Sequence, residues 1–220
     1  MFYYLGRKKR LAGLYPEPLF DTIIEPFCGS AAYSLHGDRW KRNVIINDIN
    51  PGAVVVWNYL LNARPSDILQ LPDFEPGDNV SDVKSLSDAE RQLIAYHINP
   101  GSRQNKLPLK IVTKFSRWSA GKKYIAANLH KIKHWKLIVG DYRELDNVPA
   151  TWFIDPPYNA TQSYYLHGNI DFVALADWCM TRNGQVIVCE QSGANWLPFV
   201  DLATIDICGK SKTKEVVFIR

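Results

Sequence analysis

Residues 152–159 read WFIDPPYN, an apolar run that ends against Asp155, Pro156, Pro157 and Tyr158. The exocyclic amine of a nucleobase has its lone pair delocalised into the ring, so a reaction there needs an acceptor for the N–H and a fixed geometry that frees the lone pair. Asp155 supplies one acceptor and the Pro156 carbonyl a second. Pro156 and Pro157 donate no competing N–H and hold φ near about −65°. Tyr158 adds a face on which a planar base can stack. Alone, the four residues also make an ordinary strand-ending turn, so their meaning depends on what accompanies them.

A second group lies upstream in EPFCGSAAYSL, where an apolar run enters a loop of small residues. Gly29, Ser30 and Ala31 let a ligand approach the backbone, and the expected helix behind them would offer unpaired N–H groups. Asp48 ends the next apolar run, at the spacing (about 20 residues) from which an acid accepts ribose hydroxyls in Rossmann-type folds. The full G-x-G-x-x-G is absent, which favours a nucleoside cofactor without a diphosphate over NAD. Asp141, in LIVGDYREL, follows another run and could reach an adenine amino group at the same sheet edge.

Seven runs bounded by turn residues predict the strands that carry these groups: 22–27, 44–47, 137–139, 151–154, 185–189, 202–207 and 215–219. Helices are expected over 31–40, 52–63, 88–97, 121–133 and 171–181, with Ser87 and Glu90 as a capping box. Strands alternating with helices imply a mostly parallel sheet covered on both faces. The seven residues CGKSKTK between the last two strands suit a hairpin and not a parallel crossover. Residues 64–136 interrupt the alternation and read as an insertion into a domain built from 1–63 and 137–220.

The chain has 220 residues, 46% of them hydrophobic, enough for one sizeable core. Its net charge of +4 is unevenly spread. Residues 101–136 hold ten Lys or Arg and no acid, and residues 1–16 add Arg7, Lys8, Lys9 and Arg10, again with no acid. That segregation suggests a polyanionic partner, against the alternative of a merely solvated basic surface. Cys28, Cys179, Cys189 and Cys208 are too far apart for a C-x-x-C site and read as buried thiols. His130 and His134 share helical spacing, but surrounding lysines would repel a cation, so no metal is expected. No apolar run is long enough to span a membrane, and the first ten residues have the wrong order for a secretory signal. A soluble, cytoplasmic monomer is the expectation.

Taken together and in this order, YLGRK (4–8), EPFCGSA (25–31), NDIN (47–50), GDY (140–142) and DPPY (155–158) resemble the Dam-like (D12 class) DNA adenine N6-methyltransferases. The resemblance implies a Rossmann-like methyltransferase sheet of about seven strands with an antiparallel final hairpin, S-adenosyl-L-methionine as methyl donor, and adenine in double-stranded DNA, flipped out of the helix, as acceptor. The family's N-terminal motif falls on Tyr4, Gly6 and Lys8, near the cofactor's methionine end. Its loop falls on Phe27, Gly29 and Ala31, with Glu25, Pro26 and Ser30 alongside. Asp48 would hold the ribose, Asp141 with Tyr142 the cofactor adenine, and Asp155 to Tyr158 the target base, Asp155 also bordering the cofactor. Tyr4 stands where tryptophan is common, Arg7 and Ala31 where glycines are common, and the register of Lys8 against Lys9 stays open.

The resemblance also assigns 64–136 to target recognition, with Lys9, Arg103, Lys106, Lys114, Arg117, Lys122 and Lys123 as DNA contacts. Gln104 and Asn105 have base-reading types, and Phe115 and Trp118 mix aromatic with cationic surroundings. G-A-T-C is the target the family favours. Restriction–modification, phage and stand-alone settings are all open. So are an N-methyltransferase acting on RNA, whose amine the same clamp would fit, and a catalytically silent nucleic-acid-binding module.

Overall fold

The computed structural model describes residues 1–98, 111–207 and 211–220. Seven strands form one sheet in the order β3-β2-β1-β4-β5-β7-β6: β1 (Thr22–Glu25), β2 (Asn43–Asp48), β3 (Lys136–Val139), β4 (Ala150–Ile154), β5 (Gly184–Gln191), β6 (Val200–Ile207) and β7 (Ser211–Ile219). β1 to β5 are parallel, whereas β7 runs antiparallel to both β5 and β6. This is an open, mostly parallel α/β sheet with a reversed end hairpin, as the sequence predicted.

Successive residues of the central strands feed opposite faces. Ile23, Phe153 and Ile187 enter one core with Trp57, Leu60 and Ile94. Ile24, Trp152, Ile154, Val186 and Val188 enter a second with Leu175 and Cys179. Burial on both faces explains why these strands read as continuous apolar runs.

The helices are α1 (Pro51–Asn62), α2 (Pro65–Leu69), α3 (Asp88–Ile98), α4 (Trp118–Asn128) and α5 (Phe172–Met180). Asn50 caps α1 through the Gly52 N–H, and Pro51 opens it where a missing N–H costs nothing. Ser87 and Glu90 form the expected capping box at α3. Between β2 and β3, α1 packs on α3 and α2 on α4.

The helix expected over 31–40 does not form. That stretch is a chain of turns ending in a 3-10 turn at Arg39–Lys41. Tertiary contacts outweigh helix propensity there. The Ser34 N–H is taken by the buried Glu25 carboxylate at 2.9 Å, Tyr33 stacks on Phe153 at 4.1 Å, and Arg39 reaches back to Glu17 and the carbonyls of Ala12 and Tyr15. The loop after Gly29 therefore has no helix N-terminus behind it.

Candidate active site

A cleft of about 640 Å³ opens at the carboxyl ends of β1, β2, β3 and β4, the edge at which open α/β sheets bind ligands. Its lining includes Tyr4, Gly6, Lys8, Glu25, Pro26, Phe27, Gly29, Ser30, Asp48, Asp141, Tyr142 and Asp155 to Tyr158. The sequence-nominated cofactor and clamp residues thus border one cavity, except Ala31 of the loop, which is fully buried behind it.

On one wall, Asp48 accepts the Gly29 N–H and the Asn50 N–H, both at 2.9 Å. Burial raises its carboxyl and these backbone bonds oppose the rise. Gly29 sits at φ +47°, its carbonyl takes the Trp57 indole N–H, and a Cβ there would lie 2.8 Å from the Tyr4 ring. Only glycine permits both the turn and that approach. Ala31 adopts φ +48°, the left-handed conformation, at the position where the resemblance leads one to expect glycine. Burial lifts the Glu25 carboxyl to about 7. Asp141 is paired with Arg143 at 2.8 Å, which lowers its carboxyl, while Phe27 packs on Tyr142 with ring centroids 5.0 Å apart.

At the other end Asp155 accepts a 2.6 Å hydrogen bond from the Lys8 ammonium. That ammonium also donates to the Gly6 carbonyl at 2.9 Å and lies 4.5 Å from the centre of the Tyr158 ring. Burial raises the Asp155 carboxyl to about 6 against the opposing pull of Lys8. Burial works against the Lys8 charge in turn, but Asp155 and Glu215 outweigh it and the ammonium is held above its ordinary range. Lys8 therefore points at the clamp. Gly6, at φ +76°, lets the Tyr165 hydroxyl close over this corner.

Two acids beneath the clamp were not anticipated. Glu215 of β7, only 3% exposed, accepts the Tyr15 hydroxyl at 2.7 Å and the Tyr158 hydroxyl. Glu190 of β5 accepts the Asn159 N–H and the Trp196 indole N–H, both at 3.2 Å. Together they fix the far end of the clamp. Glu215 shares its strand face with the buried Val217, and an acid on an inward face is a signal that alternation alone could have raised.

The basic segments divide. Lys9, Lys114, Arg117 and Lys123 are exposed, and Lys9 lies over the Tyr124 ring at 5.1 Å, joining the N-terminal basic loop to α4. Lys122 corrects its nomination as a DNA contact. It is buried, donating to the Leu71 carbonyl at 2.9 Å and pairing with Asp73 at 2.8 Å, so it ties α4 to the loop after α2. Lys133 is likewise engaged, donating to the carbonyls of Leu60, Leu61 and Ala63 at the end of α1. Arg103, Gln104, Asn105, Lys106 and Cys208 lie outside the described residues. Among the described residues there is no cluster of His, Cys, Asp and Glu that could hold a metal, and no helix long and apolar enough to cross a membrane.

Comparison with known proteins bears on the same cleft. Residues 4–92 match the D12 class N6 adenine-specific DNA methyltransferase family. The matched span is less than half of the chain; it contains Tyr4, Gly6, Lys8, the Gly29 loop and Asp48 but stops short of Asp155 to Tyr158. Among solved structures the chain is similar to yhhF from Escherichia coli, described there as a candidate methyltransferase, with 7% identity and a TM-score of 0.37, over 89% of this chain and 73% of that one. No curated protein matches the chain.

Proposed function

We propose, from the family match as premise, that this cleft transfers a methyl group from S-adenosyl-L-methionine to the N6 amine of an adenine turned out of duplex DNA. When bound, the cofactor supplies a methyl group on a sulfonium, an excellent leaving group, so neither a metal nor a covalent enzyme intermediate is needed. Donor chemistry fits the nucleoside half. Asp48 and Asp141 present carboxylates suited to a ribose and an adenine amine, and the glycine at 29 keeps the wall open for close approach. Tyr4, Gly6, Glu25, Pro26, Phe27, Ser30 and Tyr142 complete that half.

At the acceptor end, Asp155 and the Pro156 carbonyl would take the amine N–H bonds, and Pro157 keeps the turn rigid. Tyr158 would stack on the base, which must leave the helix to arrive there. Asp155 would also adjoin the amine as the base that accepts the proton it gives up on methylation. The observation that carries this reading is the Lys8 ammonium, a nitrogen donor already seated on Asp155 beside the Tyr158 face. Residues 64–136 would read the target, with Lys9, Lys114, Arg117 and Lys123 meeting phosphates.

The test is incubation with labelled S-adenosylmethionine and, separately, unmethylated duplex DNA and unmodified RNA, followed by nucleoside mass spectrometry. N6-methyldeoxyadenosine in DNA, lost in Asp155→Ala while cofactor binding persists, is expected. Label only in RNA, or undiminished rates in the variant, would overturn the reading.

A further inference from the structure

Lys8 occupies the place where a neutral acceptor amine would need the lone pairs of Asp155. For the proposed reaction to proceed its ammonium must leave. Lys8 is 5% exposed, and a buried cation without a counter-charge is costly. The nearest other acid is Glu215, whose Oε1 lies 3.9 Å from the Lys8 nitrogen. Closing that gap to a charge-assisted hydrogen bond takes a shift of about 1 Å. Glu215 itself is held. Its carboxylate accepts Tyr15 and Tyr158, and its strand is flanked by β5 and β6. The mobile partner is the lysine.

We propose that Glu215 is the second counter-ion of Lys8, positioned to receive its ammonium when the acceptor amine takes Asp155. The proposal rests on the reading above and adds a positioning residue to it. One cation shared by two acids makes the clamp self-filling: Asp155 keeps a partner before the base arrives and gives it up without stranding a charge. It also changes Asp155 as a base. Lys8 lowers its carboxyl, whereas Glu215 and Glu190 raise it, with Glu25 also within electrostatic reach. Cys189 and the phenols of Tyr15, Tyr158 and Tyr165 complete the ionisable surroundings, all held neutral by burial. Moving the ammonium towards Glu215 leaves Asp155 better able to accept the departing proton.

Two measurements test this. The first needs no activity. In Asp155→Asn, a crystal structure is expected to show the Lys8 nitrogen within hydrogen-bond distance of Glu215, and nitrogen NMR of labelled lysine to retain a protected ammonium there. A Lys8 side chain turned to solvent in that variant overturns the second berth, whether or not the protein methylates DNA.

The second is kinetic. Glu215→Gln keeps an acceptor for both tyrosine hydroxyls but loses the charge. We expect KM for duplex DNA to rise about tenfold or more, the scale of one charge-assisted hydrogen bond, with S-adenosylmethionine affinity unchanged. The acid limb of kcat/KM should move to lower pH in Glu215→Gln and to higher pH in Lys8→Met. A purely structural role would not shift the two limbs in opposite directions, and an unchanged KM and limb in Glu215→Gln would overturn the proposal. Failure of the wild-type protein to methylate DNA would overturn the proposed function and leave the first measurement standing.

Discussion

Replacing Glu25 with glutamine should change the pH dependence of stability more than stability itself at low pH. Glu25 is 2% exposed, and burial raises its carboxyl from the ordinary 4.5 to about 7, with Asp155 adding to the rise. The folded chain thus holds this proton more tightly than the unfolded chain. The stability it contributes is full below about 4.5, is lost as pH rises towards 7, and stays lost above. At about 1.4 kcal/mol per pH unit, the displacement is worth on the order of 3 kcal/mol. Glutamine keeps an oxygen for the Ser34 N–H but has no proton to lose. Urea unfolding of the cofactor-free protein at intervals from pH 5 to 8 should show the variant gaining about 2–3 kcal/mol on wild type across the range. Asp48, Asp155 and Glu190 are raised in both proteins and largely cancel in the difference. Two curves that stay parallel over the whole range would refute the reasoning.

Since the Asp155 carboxyl lies at about 6, its ionised form is lost below that pH, and kcat/KM for DNA should fall about tenfold per unit there; a flat profile from 5 to 8 counts against Asp155 as acceptor. Lys122→Met should lower stability by about 1–3 kcal/mol, because it leaves the Leu71 carbonyl without its buried donor. Lys123→Gln should instead leave stability unchanged and reduce the salt slope of DNA binding by about one. Calorimetric unfolding and binding titrations over a salt series separate the two lysines. Gly29→Ala, forced to φ +47° against the Tyr4 ring, should cost about 1–2 kcal/mol and weaken cofactor affinity measured by calorimetry.

The sheet was legible because its central strands are buried on both sides and announce themselves as short apolar runs. The reversed hairpin was legible because seven residues cannot make a crossover. The clamp and the Asp48 wall could be read because proline, glycine and acid at strand ends have few other uses. What escaped depended on direction. A lysine count cannot tell Lys123, which faces solvent, from Lys122, which turns inward to Asp73. A helix over 31–40 fits local propensity, but Glu25 and Phe153, distant or on a neighbouring strand, claim the groups that would build it. Glu215 was missed because its partners, Lys8, Tyr15 and Tyr158, lie far away in sequence and converge only when β7 slots beside β5.

That slotting orders events in time. β7 comes after β6 in the chain yet sits inside it in the sheet. β6 pairs with β7 alone, so it joins the sheet only through β7, and until β7 docks β5 has one edge open. The edge closes, and the carboxylate under Tyr158 is delivered, only when the last strand inserts. A chain in which β7 has not docked would therefore carry most of the cleft wall together with an unpaired apolar edge that invites aggregation.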